Sequence, residues 1–120
     1  MSRSRWLPVA VWAGVILAGT SFPNMPAPAQ AGSDKLVHVA MYAILGVLAL
    51  RAAASGSGTT PRTIVLTLSA IVAFAAADEW HQRFIPTRSA DPADWVADVA
   101  GATLGIASFG ALKLRRIKGT

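Results

Sequence analysis

The sequence predicts an all-α integral membrane protein, a bundle of four short transmembrane helices with both termini in the cytoplasm. Three observations predict it. Apolar stretches at residues 6–22, 36–54, 63–77 and 95–112 each approach the roughly 20 residues that cross a bilayer core, at the short end of that range. Charged residues make up only 14 % of the 120 residues, fewer than a water-soluble domain of this size carries. No stretch alternates with period two as barrel strands do, so helices are favoured.

The punctuation sets one membrane domain, 1–120, with helices at about 6–22, 35–54, 63–82 and 92–112 and a basic cytoplasmic tail at 113–120. "PNMPAPAQAGS" closes the first helix with three Pro, and "SGSGTTP" is a flexible turn ending in Pro61. Asp91 suits an N-cap, Pro92 the first position of the fourth helix and Asp94 the third.

Orientation follows from the basic residues. Arg3, Arg5, Arg51, Arg62, Lys113, Arg115, Arg116 and Lys118 flank one side of the serpentine, and Lys35, Arg83 and Arg88 the other. The positive-inside rule then places both termini on the cytoplasmic side. A competing reading takes the first segment as a signal peptide cut after Ala29-Gln30-Ala31. The long apolar run and its distance from the cut count against that.

The formal charge of +5 is not arranged as a basic stripe interleaved with aromatics, so nucleic acid is not an expected partner. The absence of Cys removes disulfides, thiolate metal sites and Cys nucleophiles. No paired-His metal spacing is present; no metal and no cofactor are expected.

The informative polar residues sit at helix ends. In "DKLVHVAMYAILG", Asp34, Lys35, His38 and Tyr42 share a face at the outer end of the second helix. The bland alternative makes Tyr42 an interfacial anchor and His38 a satisfied packing residue. In "DEWHQRFIPTRSADPADWVAD", Asp78 and Gln82 are four apart and Glu79 and Gln82 three apart. Adjacent acids at a helix C-terminus oppose the macrodipole, so a cation such as Arg88 or Lys35 is expected to compensate. Asp98 lies roughly 10 Å below the fourth helix's cap. An acid at that depth must find a partner or stay protonated. Ala97, Gly101 and Gly105 form a small-xxx-small ridge for close packing.

Together these residues resemble the VanZ-like membrane proteins, named for a determinant of resistance to the glycopeptide teicoplanin. The resemblance runs from "SFP" through "DKLVHVAMYAILG" to "DEWHQRFIPTRSADPADWVADVAGATLG". It rests on Asp34, Lys35, His38 and Tyr42, then on Asp78, Glu79, Gln82, Phe84, Pro86, Arg88 and Asp94, then on Gly101 and Gly105. One departure is Asp98, where the family commonly has Asn; a protonated Asp98 standing in for that amide is the simplest reading.

The resemblance implies a multi-pass envelope protein with a link to teicoplanin susceptibility, but it names no reaction. The leading expectation is a non-enzymatic protein whose outer polar cluster binds a lipid headgroup, a cell-wall precursor or the glycopeptide. The alternative is an outer-leaflet enzyme using His38 as acid or base, with Asp78, Glu79 or Asp94 as its partner or as ligands for a divalent cation. Ion or proton movement and a purely structural network are further alternatives.

Overall fold

The computed structural model describes residues 2–21, 33–86 and 91–119; residues 2, 3, 33, 34, 56, 57 and 113–119 are described in backbone only. The described residues form four helices and no strand: α1 (Ser2–Ser21), α2 (Ser33–Ser57), α3 (Pro61–Gln82) and α4 (Pro92–Gly119). The helices run longer than the apolar stretches. In particular α4 continues to Gly119, past the expected end at 112, because Lys and Arg are good helix formers and nothing before Gly119 breaks the chain.

Local chemistry fixes the boundaries. Gly58, at φ 77, takes the left-handed conformation that ends α2, and its N–H bonds the Ala54 carbonyl at 2.7 Å. Thr60 then caps α3, its Oγ1 accepting from the Thr63 N–H at 3.1 Å, and Pro61 takes the first helical position, where no N–H is needed. Asp91 Oδ1 accepts from the Ala93 N–H at 3.0 Å and opens α4.

Three helices, Lys35–Ser55, Pro61–Gln82 and Pro92–Leu112, are long and apolar enough to cross a membrane. The described part of α1 begins with Arg3 and Arg5, which leaves a shorter apolar run from Trp6 to Ser21. The interior matches a lipid solvent. Large apolar side chains such as Leu7, Leu36, Val65, Leu66 and Leu104 face outward, whereas Asp78, Glu79, Gln82, Asp94 and Asp98 are buried inside. Water would reverse that distribution; hydrocarbon favours it, because it rewards satisfying polar groups within the bundle.

α2 and α4 run side by side in the same direction, with backbones almost in contact. A Cβ at Gly101 would be driven into the Val39 carbonyl, one at Gly105 into the Ala43 carbonyl, and one at Gly46 would sit 2.7 Å from the Ala102 carbonyl oxygen. The small-residue ridge thus sets how near the two helices come, as dispersion-driven packing in lipid requires. Two Trp side chains attach the remaining helices. Trp12 Nε1 donates to the Met41 carbonyl at 2.9 Å, tying α1 to α2, and Trp95 Nε1 to the Val72 carbonyl at 3.3 Å, tying α4 to α3. Ile16, Tyr42, Leu45, Leu50, Ile71 and Ile106 fill the core between them.

Candidate functional site: a polar cluster at one end of the bundle

The end of α1, the start of α2, the end of α3 and the start of α4 meet at one end of the bundle, and each supplies polar side chains to one cluster. Its layers follow helical rise. At the rim, Lys35 Nζ donates to Asp91 Oδ2 at 2.9 Å and Asp94 Oδ1 at 2.5 Å, joining α2 to α4. The Lys35 ammonium, and then the Ala93 N–H, hold the Asp91 carboxyl below the usual carboxylate range. Lys35 and Asp91 keep 33 % and 45 % of their side-chain surface exposed, so the rim is the open layer of the cluster.

One turn deeper, His38 lies between two carboxylates. Its Nδ1 is 2.6 Å from Asp98 Oδ1 and its Nε2 3.8 Å from Asp94 Oδ2. His38 is 12 % exposed and Asp98 not at all. The 2.6 Å contact is a hydrogen bond between His38 and Asp98, and it orients the imidazole ring. Asp98 Oδ2 is buried without a hydrogen-bond partner among the described residues.

The floor is built around Asp78. Thr20 Oγ1 donates to its Oδ1 at 2.7 Å and the Tyr42 hydroxyl to its Oδ2 at 3.4 Å. Beside it, Glu79 closes α3 onto α4: Gln82 Nε2 donates to its Oε1 at 3.2 Å, and the Asp91 N–H to its Oε2 at 2.7 Å. The carboxylate of Glu79 therefore anchors the backbone at the start of α4.

Several sequence expectations need correcting. Lys35 is placed with Asp91 and Asp94, whereas Asp78 and Glu79 accept from neutral donors: Thr20, Tyr42, Gln82 and the Asp91 backbone. The reason is depth, since Asp78 lies at the level of Tyr42, seven residues and roughly 10 Å further along α2 than Lys35. Gln82 bonds Glu79, three residues back. Tyr42 is no interfacial anchor; it is fully buried, with its ring 6.2 Å from that of Phe74. Arg88 and the side chain of Asp34 lie outside the described residues.

Thr20 and Asp91 enter the cluster beyond the expected set. Thr20 had no signal of its own, as a lone Thr in an apolar helix commonly bonds back to its own turn; here the Ile16 carbonyl lies 3.1 Å from Oγ1 and competes for the one hydroxyl hydrogen with the shorter bond to Asp78. Asp91 caps α4 as its position suggested, but its second oxygen also serves Lys35.

Five carboxyl groups thus surround one ammonium and one imidazole in the described cluster. Among the described residues no group of three His, Cys, Asp or Glu is set to hold a metal ion. What the arrangement offers a ligand is a surplus of acceptors, suited to ammonium, amide and hydroxyl donors, together with an oriented imidazole.

Long apolar helices enclosing buried carboxylates define a membrane protein of the multi-helix class. The chain matches the VanZ/LLP1 family model over residues 3–113, nearly its whole length, and belongs to that family. No curated protein and no solved structure matches it.

Proposed function

We propose that this VanZ-family protein resides in the bacterial cytoplasmic membrane, termini inside, and uses the polar cluster at the outer face to bind a polar head. The candidate ligands are a lipid headgroup, a cell-wall precursor and a teicoplanin-like glycopeptide. The carrying observation is the graded burial of one polar cluster: Lys35 and Asp91 are open at the rim, His38 and Asp94 lie just beneath, and Asp78 and Asp98 are buried below them. Such a gradient suits a ligand that enters from the water side and replaces water at the rim.

Two observations support α1 as a fourth span. Thr20, near its end, reaches the floor of the cluster at Asp78, while Arg5, near its start, lies by Arg51 at the far end of α2. The helix therefore traverses the bundle's depth. The excess of Lys and Arg at that far end supports the N-in, C-in orientation.

A second reading is an outer-leaflet enzyme with His38 as general base, favoured by the short Nδ1 contact to buried Asp98, which orients the ring as catalytic imidazoles are oriented. Profiling lipids and cell-wall precursors with and without the protein separates the two. Binding predicts unchanged covalent chemistry with altered teicoplanin susceptibility; a new or missing covalent species supports catalysis. His38→Asn and Glu79→Gln, close in shape, should lose activity at undiminished membrane abundance. If abundance falls in step with activity, the cluster is structural.

A further inference from the structure

At the opposite end of the bundle, the described residues carry positive charge without an acidic partner. A cleft of about 310 Å³ opens there between the start of α1 and the end of α2, lined by Ser4, Arg5, Pro8, Leu48, Arg51 and Ser55. All six acidic residues of the sequence fall at position 34 or between 78 and 98. Those whose side chains are described belong to the polar cluster, a bundle's length away. Among the described residues, no ion pair involves Arg5 or Arg51. Two guanidinium groups bordering one cleft repel each other, and an anion between them turns that repulsion into attraction.

The other walls narrow the anion's identity. Pro8 and Leu48 give the cleft an apolar side, and the membrane-crossing part of α2 ends at Ser55, so the cleft sits where hydrocarbon meets headgroups. A soluble anion uses only the arginines, whereas a lipid uses both walls. We infer that this cleft binds the phosphate of an anionic phospholipid, with Arg5 and Arg51 on the phosphate oxygens and an acyl chain along Pro8 and Leu48. Basic pockets between transmembrane helices are suited to such headgroups. The site is separate from the polar cluster and stands whether or not that cluster binds a ligand.

The test uses the full-length protein in a neutral detergent, titrated with phosphatidylglycerol, phosphatidylcholine or inorganic phosphate and followed by native mass spectrometry and thermal melting. Phosphatidylglycerol should bind in preference to phosphatidylcholine and raise the melting temperature. In the Arg5→Gln/Arg51→Gln double variant its affinity should fall about 30-fold, from the contribution of two basic residues at a membrane surface. Arg62→Gln, outside the cleft, should leave affinity unchanged; an equal loss there means diffuse attraction and overturns the proposal. Displacement of the lipid by millimolar inorganic phosphate overturns the lipid assignment in favour of a soluble anion. Without lipid, the double variant should melt no lower than the wild type, because it loses only a repulsion. A lower melting temperature would mean that the arginines brace the fold directly, which also contradicts the site.

Discussion

His38 Nδ1 and Asp98 Oδ1 stand 2.6 Å apart, linking α2 to α4 one turn beneath the Lys35–Asp91 rim, with Asp98 wholly buried. The link is sensitive to loss of either member in different ways. His38→Ala strands a buried carboxyl whose other oxygen is already without a partner among the described residues, and should destabilise the protein by about 1–3 kcal/mol. Asp98→Asn keeps shape and one hydrogen bond to the imidazole, and should fold with little loss. Thermal melting of the purified variants checks both; equal destabilisation by the two would show that the carboxyl's charge, and not its shape, is what the fold requires.

The α2–α4 contact makes a steric prediction. Gly101→Ala places a methyl group against the Val39 backbone, which cannot move aside as a flexible side chain can. The helices must separate, at a cost of about 1–3 kcal/mol. Gly14→Ala, on α1, meets nothing within 4 Å and should be neutral or slightly stabilising through helix propensity. Chemical or thermal denaturation in detergent compares them directly.

The rim predicts a pH dependence. The Asp91 carboxyl is held below its ordinary value by Lys35 and the Ala93 N–H. Its stabilising contribution is therefore complete above the ordinary carboxylate pKa of about 3.9 and is lost as pH falls through the lowered native value. Asp91→Asn should lower stability modestly at neutral pH and flatten the change on the acid side of about pH 4. Melting temperatures of wild type and variant measured from pH 6 to pH 2 should converge in acid; curves that stay parallel would show that the carboxyl's titration contributes nothing.

The proposed topology is testable on a chain that has no Cys. Gly56→Cys should be shielded from an impermeant thiol reagent in intact cells, and Ala90→Cys should react. The reverse pattern places the polar cluster in the cytoplasm and removes the outer-face ligands from consideration.

Much of the fold was legible because lipid imposes simple demands. Apolar runs mark the helices, and the Gly/Ser turn ending in Pro61 and the Asp91-Pro92 start mark two of their boundaries. The gathering of Lys35, His38 and Tyr42 on one face followed from helical spacing. Their partners did not. Pairing His38 with Asp98 depends on α2 and α4 lying in parallel register, a relation between helices that the period of either one does not contain. The depth of Asp78 below Lys35 was missed for the same reason: sequence spacing gave the acids a shared patch with Gln82, while the fold gave Asp78 to Thr20 and Tyr42 and left Gln82 to Glu79.

The central claim is that the polar cluster receives a ligand. The sequence contains two His, His38 within the cluster and His81 exposed on α3, so the second is an internal control for the first. The most direct measurement is the ¹⁵N spectrum of histidine-labelled full-length protein in nanodiscs, recorded as bacterial lipid extract, cell-wall precursor or teicoplanin is added. The account predicts that at least one of them shifts the His38 ring resonances in a saturable manner while those of His81 stay in place. Unchanged His38 resonances with all three, or equal shifts at both His, would contradict it.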